Sequence, residues 1–244
     1  MSKFRRSVDI VIPVLNEERA LPVCVERLRT FLSESLSNPW RIVIADNGSD
    51  DRTEEIGRTM AAESTDIKYI RLEQRGRGRA LKKAWLESDA DFLSYMDVDL
   101  STDINAIPLM VAALEEGCHL AVGSRLASGA KVYRRTVKRE ITSRGYNALI
   151  KAMFFNRFSD AQCGFKSITS EAARLLVPRM VDNAWFFDTE LLLVAEKRGF
   201  HVKDIAVTWT DDPDTRVKIA KTVWEDIKGL CRLRFGGLPR ISAP

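Results

Sequence analysis

The chain has 244 residues, 45% of them hydrophobic, and its net charge is only +4, which favours one domain with a substantial core, alone or with an extension. Four widely spaced cysteines, no Cys-x-x-Cys pair and two histidines argue against a zinc site and indicate buried free thiols in a reducing compartment. The N-terminus lacks the apolar region of a signal peptide, and no run of about 18 apolar residues occurs, so we expect a cytoplasmic protein without a membrane-spanning helix.

The first half of the chain predicts strands that alternate with helices. Short apolar runs rich in β-branched residues predict buried strands at 8–15, 42–45, 67–72, 92–96 and 120–122. Apolar residues at helical spacing predict helices at 21–32, 79–88 and 104–116, and a further helix after residue 50. Pro13 is expected to end the first strand, and Ser49 or Asp50 to cap the helix that follows the second.

The second half is less regular. It predicts helices at 141–155 and 189–198, a strand at 202–209 and a basic amphipathic helix at 219–233. Strands that alternate with helices imply an α/β fold with a mainly parallel sheet covered on both faces. In such sheets ligands bind beyond the carboxyl ends of the strands, which is where the polar motifs of this chain fall.

Asp97 and Asp99 follow directly after the predicted strand at 92–96. Two carboxylates separated by one residue can share Mg²⁺ or Mn²⁺, which in turn bridges a diphosphate. The motif alone is weak, because in isolation Asp-x-Asp favours a solvated turn or a helix cap over a metal site. Its position at the end of a buried strand favours the metal, since carboxylates there need a partner.

Two polar loops follow the first two predicted strands, at 13–17 (Pro-Val-Leu-Asn-Glu) and 46–53 (Asp-Asn-Gly-Ser-Asp-Asp-Arg-Thr). Carboxylates and amides in such a crevice can read a base edge or hold a ribose hydroxyl. Turn chemistry and helix capping are the alternative, and they explain the second loop well by themselves.

Three further kinds of motif carry arginines, mixed polar residues or aromatic residues. Residues 75–79 (Arg-Gly-Arg-Gly-Arg) suit phosphate or nucleic acid, and the arginine of 123–125 (Gly-Ser-Arg) with Arg139 suits a bidentate phosphate contact. Surface salt bridges are the alternative for these arginines. Residues 160–166 (Asp-Ala-Gln-Cys-Gly-Phe-Lys) form a polar cluster, and the aromatic residues of 185–191 favour core packing, with Asp188 a candidate helix cap.

Taken in order, these motifs resemble glycosyltransferase family 2, whose catalytic domain has the GT-A fold. The matching elements span about residues 8–220, and 160–166 followed by Phe187-Asp188-x-Glu190-Leu191-Leu192 is similar to the dolichol-phosphate glucose and mannose synthase branch. The resemblance therefore implies a GT-A-type three-layer sandwich around a mainly parallel sheet, with a C-terminal amphipathic helix. It also implies transfer of a hexose to a polyprenyl phosphate, with inversion at the anomeric carbon.

The resemblance assigns donor and metal roles by position. Asp97 and Asp99 would hold Mg²⁺ or Mn²⁺ and the diphosphate, and Asp99 would be catalytic. The positions that would bind the nucleotide sugar are Pro13, Asn16, Glu17, Asp46, Asp97 and Gln162.

The acceptor roles follow in the same way. Arg125 and Arg139 match arginines that bind the acceptor phosphate, and both are expected to be catalytic. Arg216 and Lys218 match a late basic loop that closes over the site. Asp160 would face the sugar or the acceptor as a further catalytic residue.

Clusters of basic residues indicate an anionic partner, and a membrane surface fits because a polyprenyl phosphate resides there. We divide the chain into a GT-A domain at 1–215 and a basic C-terminal helix and tail at 216–244 that faces the cytoplasmic side of a membrane or a small membrane protein partner. The stripe formed by Val223, Ile227, Leu230 and Leu233 supports this, although the same stripe would also suit packing against the core.

The predicted function is metal-dependent transfer of a hexose from UDP-glucose, a UDP-N-acetylhexosamine or GDP-mannose to a polyprenyl phosphate. A non-lipid acceptor is the nearest alternative. A nucleotidyltransferase would need a Gly-rich loop where residues 13–17 lie. A basic nucleic-acid-binding module is the alternative from another class, but paired acids at the sheet end would repel a phosphate backbone, so no nucleic acid partner is expected.

Overall fold

The computed structural model describes residues 5–211 and 219–241. The strands in these ranges are β1 (Val8–Val14), β2 (Trp40–Asp46), β3 (Ile67–Arg71), β4 (Phe92–Met96), β5 (Leu120–Ser124), β6 (Lys131–Tyr133), β7 (Phe165–Thr169), β8 (Val202–Ala206) and β9 (Thr208–Thr210). The α-helices are α1 (Ala20–Ser35), α2 (Thr53–Glu63), α3 (Arg77–Leu86), α4 (Ile107–Glu115), α5 (Val137–Phe154), α6 (Ser170–Leu176), α7 (Phe187–Lys197) and α8 (Ile219–Gly236).

Seven strands form one sheet in the order β3-β2-β1-β4-β7-β5-β8. The pairs are parallel except that β7 runs antiparallel to both β4 and β5. The predicted α/β fold with a mainly parallel sheet is therefore confirmed. Strands β6 and β9 form a separate parallel pair beside it.

Two apolar layers cover the sheet, as the alternation of side chains along a strand requires. In β1, Val8, Ile10 and Ile12 pack into one layer with α1 and α4, whereas Val11 packs into the other. The second layer is built from α3, α5, α6, α7 and α8. The three-layer sandwich follows from these two cores.

Several predictions about element ends are corrected. Pro13 does not end β1, which continues to Val14; pairing with β4 stops at Val11, so the proline removes no ladder bond on that side. Neither Ser49 nor Asp50 caps α2, which begins at Thr53. The N-cap residue is Arg52, which makes no side-chain capping bond, and the Asp51 carboxylate before it accepts hydrogen bonds from the Thr53 amide and hydroxyl.

The C-terminal helix α8 belongs to the second core layer. Leu230 and Leu233 are buried there, whereas Val223 is exposed, so the inner half of the predicted apolar stripe packs against the core. Arg232 on the same helix pairs with the buried Glu190 of α7 at 2.9 Å. The helix is therefore part of the folded unit, whatever its outer face contacts.

All four cysteines are free thiols; three are buried as expected, but Cys231 on α8 is exposed. In the described part of the chain, no helix combines the length and the hydropathy needed to cross a bilayer.

Candidate active site

The loops after β1 and β2 are tied to each other. The Ser49 hydroxyl accepts from the Asn16 amide and the Thr53 hydroxyl from the Glu17 amide, both at 2.9 Å. The Asn16 carboxamide oxygen in turn accepts from the Asp50 amide at 2.8 Å. Asn16 has a φ of 56°, a conformation that Asn tolerates better than most residues. The two motifs predicted to bind the nucleotide therefore form one rigid crevice wall at the carboxyl end of the sheet.

Asp46, at the end of β2, is fully buried, and its two carboxylate oxygens accept hydrogen bonds from different partners. Oδ1 accepts from the Ser49 amide at 2.9 Å. Oδ2 accepts from the Tyr69 hydroxyl at 2.6 Å and from Arg71 at 3.0 Å. Burial and this carboxylate together raise the pKa of Tyr69. Asp46 therefore orders the crevice wall, and the predicted contact between Asp46 and the nucleotide stays a prediction.

Asp97 and Asp99 lie just beyond β4, with Asp97 half-buried and Asp99 exposed. The Asp99 Oδ1 atom accepts from the Ser101 amide at 2.9 Å, which fixes the turn. Burial, followed by the nearby carboxylates of Asp99 and Asp97, raises the pKa of the Cys24 thiol to about 12. Both acids thus project their charge toward the same region at the sheet end.

The loop after Asp160 packs directly on Asp97. A Cβ atom added at Gly164 would lie 1.8 Å from the Asp97 Oδ2 atom, so only glycine leaves room for the carboxylate in this position. The polar cluster at 160–166 and the Asp-x-Asp motif, which are far apart in sequence, are therefore brought together.

Arg77 is a site residue to which the sequence analysis gave no individual role. Its Nη2 atom pairs with the Asp97 Oδ1 atom at 2.6 Å, and its guanidinium lies over the rings of Tyr95 and Trp185 at 5.3 and 4.8 Å. Burial opposes its charge, but Asp97, Tyr95 and Asp188 together outweigh burial and raise the pKa of Arg77 above its usual value. The signal in the sequence was the Gly-rich basic loop, where Gly78 allows close contact with Phe187.

The segment at 185–191 packs mostly as predicted. Phe186 and Phe187 are buried, whereas Trp185 is partly exposed beside Arg77. Asp188 does not cap α7; it accepts a hydrogen bond from the Tyr95 hydroxyl at 2.5 Å.

Arg125 and Asp160 form a buried bidentate ion pair. The Arg125 Nε and Nη2 atoms lie 2.7 and 2.9 Å from the two Asp160 oxygens. Burial works to raise the pKa of Asp160, but the charge and hydrogen bonds of Arg125 outweigh it, and the pKa lies below its usual value. Asp160 therefore positions Arg125 as an anion, and its predicted direct contact with sugar or acceptor stays untested.

Three arginines surround one indole ring. The guanidinium carbons of Arg125, Arg135 and Arg139 lie 5.4, 5.7 and 6.0 Å from the centroid of Trp209. Trp209 belongs to β9, so this strand gathers residues from the end of β5 and from the start of α5. Arg139 also pairs with Asp211 just after β9.

Strand β9 also connects this cluster with the acidic turn. The Thr210 amide donates to the Ser101 carbonyl at 2.8 Å, and the Asp103 amide donates to the Thr208 carbonyl at 2.9 Å. Strand β9 therefore joins the arginine cluster on Trp209 to the turn that carries Asp99.

Gln162 is exposed, and its side chain reaches α8, where the Nε2 atom donates to the Asp226 Oδ2 atom at 3.1 Å. Asp226 is buried, and burial raises its pKa to about 7 even though hydrogen bonds from Tyr146 and Gln162 lower it. The C-terminal helix therefore contacts a predicted donor-binding residue. Arg216 and Lys218, the two late basic residues predicted to bind the acceptor, lie outside the described residues.

Comparisons with known proteins agree with this geometry. The family model described as glycosyl transferase family 2 matches residues 9–176. Glycosyltransferase AglD from Haloferax volcanii is 36% identical over 222 residues, which cover 88% of this chain and 35% of AglD. Dolichyl-phosphate beta-glucosyltransferase from Dictyostelium discoideum is 28% identical over 241 residues, which cover 93% of this chain and 74% of that protein. The chain thus spans about a third of AglD.

One solved structure extends the comparison to the fold. Glucosyl-3-phosphoglycerate synthase from Mycobacterium tuberculosis, in complex with Mn²⁺, uridine diphosphate and glucosyl-3-phosphoglycerate, has a TM-score of 0.70 and is 17% identical. The match covers 96% of this chain and 81% of that chain. This likeness supports the GT-A-type architecture predicted from the motifs.

Proposed function

The chain belongs to glycosyl transferase family 2, and from that premise we propose that it transfers a hexose from a nucleoside diphosphate sugar to the phosphate of a polyprenyl phosphate. The observation that carries this proposal is the cluster of arginines around Trp209, joined through β9 to the acidic turn at Asp99. Guanidinium groups suit a phosphate acceptor because their planar donors form bidentate contacts. The names of the similar proteins, dolichyl-phosphate beta-glucosyltransferases among them, point to the same acceptor.

The acidic turn suits a divalent cation. Asp97 and Asp99 offer hard oxygen ligands, and within residues 5–211 and 219–241 no group of three or more His, Cys, Asp or Glu side chains is placed to hold a metal ion. Mg²⁺ and Mn²⁺ sites of this kind use one or two carboxylates and take their other ligands from substrate phosphates and water. The two aspartates would hold the cation, and when bound it would neutralise charge on the diphosphate leaving group. Mn²⁺ together with uridine diphosphate in the M. tuberculosis structure supports this choice.

The reaction needs no strong general base. A phosphate monoester with a second pKa of about 6 is largely dianionic at neutral pH. One of its oxygens forms the bond to the anomeric carbon while the bond from that carbon to the diphosphate breaks, and the nucleoside diphosphate leaves with inversion. Arg125 and Arg139 hold the attacking phosphate, and Asp160, kept ionised by Arg125, holds Arg125 in place.

Three donors fit the proposal: UDP-glucose, a UDP-N-acetylhexosamine and GDP-mannose. Glucose is favoured by the names of the similar glucosyltransferases, and uridine by the nucleotide in the M. tuberculosis structure. The crevice wall built by Asn16, Glu17 and Asp46 is where the base and ribose would lie, with Pro13 beside it.

A lipid acceptor requires a surface that meets the membrane, and we assign it to the outer faces of α5 and α8. Val137, Ile141 and Phe155 are exposed along and just after α5, and Trp224 and Phe235 are exposed on α8. Exposed basic side chains flank them, namely Lys138, Arg144, Lys151, Lys228 and Arg234. Apolar residues bordered by cations suit the cytoplasmic leaflet, which is anionic. This assignment moves the predicted membrane contact from the partly buried inner stripe of α8 to its outer face.

A transfer assay tests the proposal. The protein would be mixed with Mn²⁺ or Mg²⁺, a polyprenyl phosphate and each labelled donor in turn, and phosphoglyceric acid would replace the lipid in a parallel reaction. Label that enters the lipid phase with one donor, and is lost on adding EDTA, is the expected result. Label on phosphoglyceric acid alone would show a soluble phosphorylated acceptor, and transfer that persists in EDTA would contradict the metal.

A further inference from the structure

Arg135 is a buried arginine to which the mechanism above assigns no task. It lies between β6 and α5, and only 7% of its side chain is exposed. Its Nη1 atom donates to the Glu140 Oε2 atom at 2.7 Å. Its Nε atom is buried and has no hydrogen-bond partner among the described residues. A buried guanidinium donor without a partner is costly, so this atom calls for an acceptor.

The surroundings of Arg135 are rich in positive charge. Arg125 and Arg139 face the same indole ring, and burial, followed by the charge of Arg125, lowers the pKa of Arg135. Glu140, the carboxylate that pairs with Arg135 in the described part of the chain, is partly exposed and is shared with Arg144. Among the described residues, Arg125, Arg135, Arg139 and Arg144 thus share three carboxylates, those of Asp160, Glu140 and Asp211, and this excess of positive charge favours a further anion.

We propose that Arg135 is a third guanidinium ligand of the acceptor phosphate, with its Nε atom donating to a phosphate oxygen beside Arg125 and Arg139. The inference rests on the proposed function, because it takes the acceptor to be a phosphate monoester. A third guanidinium would add a charge-assisted hydrogen bond to the dianion and help to fix its orientation for attack. In the free protein Glu140 accepts a hydrogen bond from the Arg135 Nη1 atom, so it competes with the phosphate for this guanidinium.

A purely structural role gives a different expectation. If Arg135 served only to anchor the start of α5 through Glu140, then removing either partner would have the same effect. If it binds phosphate, removing Glu140 frees the guanidinium and strengthens phosphate binding. The two variants Arg135→Met and Glu140→Gln therefore separate the two roles by the sign of their effects.

The experiment measures binding and turnover with a short-chain polyprenyl phosphate and with inorganic phosphate as probes. Calorimetric titration of Arg135→Met should show affinity for both probes weakened roughly tenfold or more, the effect of losing one charge-assisted contact. The KM for the acceptor should rise while the affinity for uridine diphosphate stays within about twofold of the wild type. Glu140→Gln should bind phosphate as tightly as the wild type or more tightly.

Arg29→Met is the control, because Arg29 on α1 also pairs with a carboxylate, that of Asp66, but its side chain is 48% exposed and it is not among the arginines stacked on Trp209. It should leave phosphate affinity unchanged. If Arg135→Met does not fold, Arg135→Gln supplies a second neutral variant for the same titrations.

Three outcomes would overturn the inference, and they are distinguishable. If the wild type binds and uses the acceptor, a folded Arg135 variant with wild-type phosphate affinity would exclude Arg135 as a phosphate ligand and leave the proposed function standing. If the wild-type protein binds neither phosphate probe, both the proposed class of acceptor and the role of Arg135 are wrong. Equal losses in Arg135→Met and Glu140→Gln would show a structural role.

Discussion

Gly164 controls the position of Asp97 by its lack of a side chain. A Cβ atom there would lie 1.8 Å from the Asp97 Oδ2 atom, so Gly164→Ala must push the carboxylate away. Because a displacement of about 1 Å can cost on the order of 100-fold in rate, we expect a loss of that size in transfer. Gly145→Ala is the control, since a Cβ atom at this exposed helical position meets nothing within 4 Å and should stabilise α5 by about 0.5–1 kcal/mol. Equal activity of the two variants would contradict the assignment of Asp97.

Asp99 is the exposed member of the acidic pair, and its removal should abolish transfer without unfolding the protein. Asp99→Ala should lower kcat at least about 100-fold, the scale found when a group that stabilises developing charge is removed. Asp89→Asn is the control: it is an exposed aspartate before β4, at the opposite end of the same strand. Both variants should unfold at the wild-type temperature. An active, folded Asp99→Ala protein would exclude Asp99 from the reaction.

Asp226 gives the stability of the protein a pH dependence. Burial, with smaller contributions from Asp182 and Glu225, raises its pKa to about 7, against about 3.9 in an unfolded chain. The folded state therefore binds the extra proton between these values, and this carboxyl makes stability fall as pH rises from about 4 to 7, by at most about 1.4 kcal/mol per pH unit. Urea unfolding at pH 5 and pH 8 should show a smaller loss for Asp226→Asn than for the wild type. Equal losses would show that Asp226 is already ionised at pH 5.

At the scale of elements, α5 and α8 form the surface that we assign to the membrane. The paired change Phe155→Ser and Phe235→Ser removes two side chains that are 80% and 82% exposed, so it should leave the fold unchanged. We expect it to reduce co-flotation with anionic vesicles several-fold, because each exposed aromatic contributes apolar area to the contact. Leu109→Ser is the control, since Leu109 is 56% exposed on α4, which packs on the other face of the sheet. Wild-type flotation of the paired variant would exclude these residues from the contact.

The elements that the sequence predicted well are those with one dominant pattern. The strands at 8–15 and 92–96 are continuous apolar runs, and they match β1 and β4 because a strand in the middle of this covered sheet is buried on both faces. Strand β7 was missed because it carries Lys166 and Ser167, whose polar groups are satisfied inside the protein: Lys166 donates to the Cys163 carbonyl at 2.5 Å. Strand β6 has three residues, too few to show a period, and the single strand predicted at 202–209 is divided into β8 and β9.

The residues of the candidate site likewise divide into those that the sequence predicted and those that it did not. Motifs at strand ends, such as Asp97 with Asp99, were predictable because parallel strands bring their carboxyl ends to one edge. The stacking of Arg125, Arg135 and Arg139 on Trp209 was not, since it depends on β9 crossing between the acidic turn and α5. The local sequence does not predict that a strand crosses there.

At the scale of the whole molecule, α8 tests whether the C-terminal segment is a separate part or belongs to a single folding unit. Leu230 is fully buried in the core layer shared with α5 and α7, and Gly229 leaves room for the ring of Phe186. Leu230→Ala should therefore lower the free energy of unfolding of the entire protein by about 2–5 kcal/mol, since a cavity opens in a shared core. The neighbouring exposed Cys231 provides the control, because Cys231→Ala should change stability by less than about 0.5 kcal/mol.

The shape of the transition decides between the two arrangements. One cooperative transition, followed both by tryptophan fluorescence and by far-ultraviolet circular dichroism, should shift as a whole in Leu230→Ala. If residues 216–244 instead formed an appendage, the variant would leave the main transition where it is and alter only a minor early phase. The single shift is expected because the Arg232–Glu190 ion pair and the Gln162–Asp226 hydrogen bond join α8 to α7 and to the active-site loop, so loss of the helix removes support from the catalytic cleft itself.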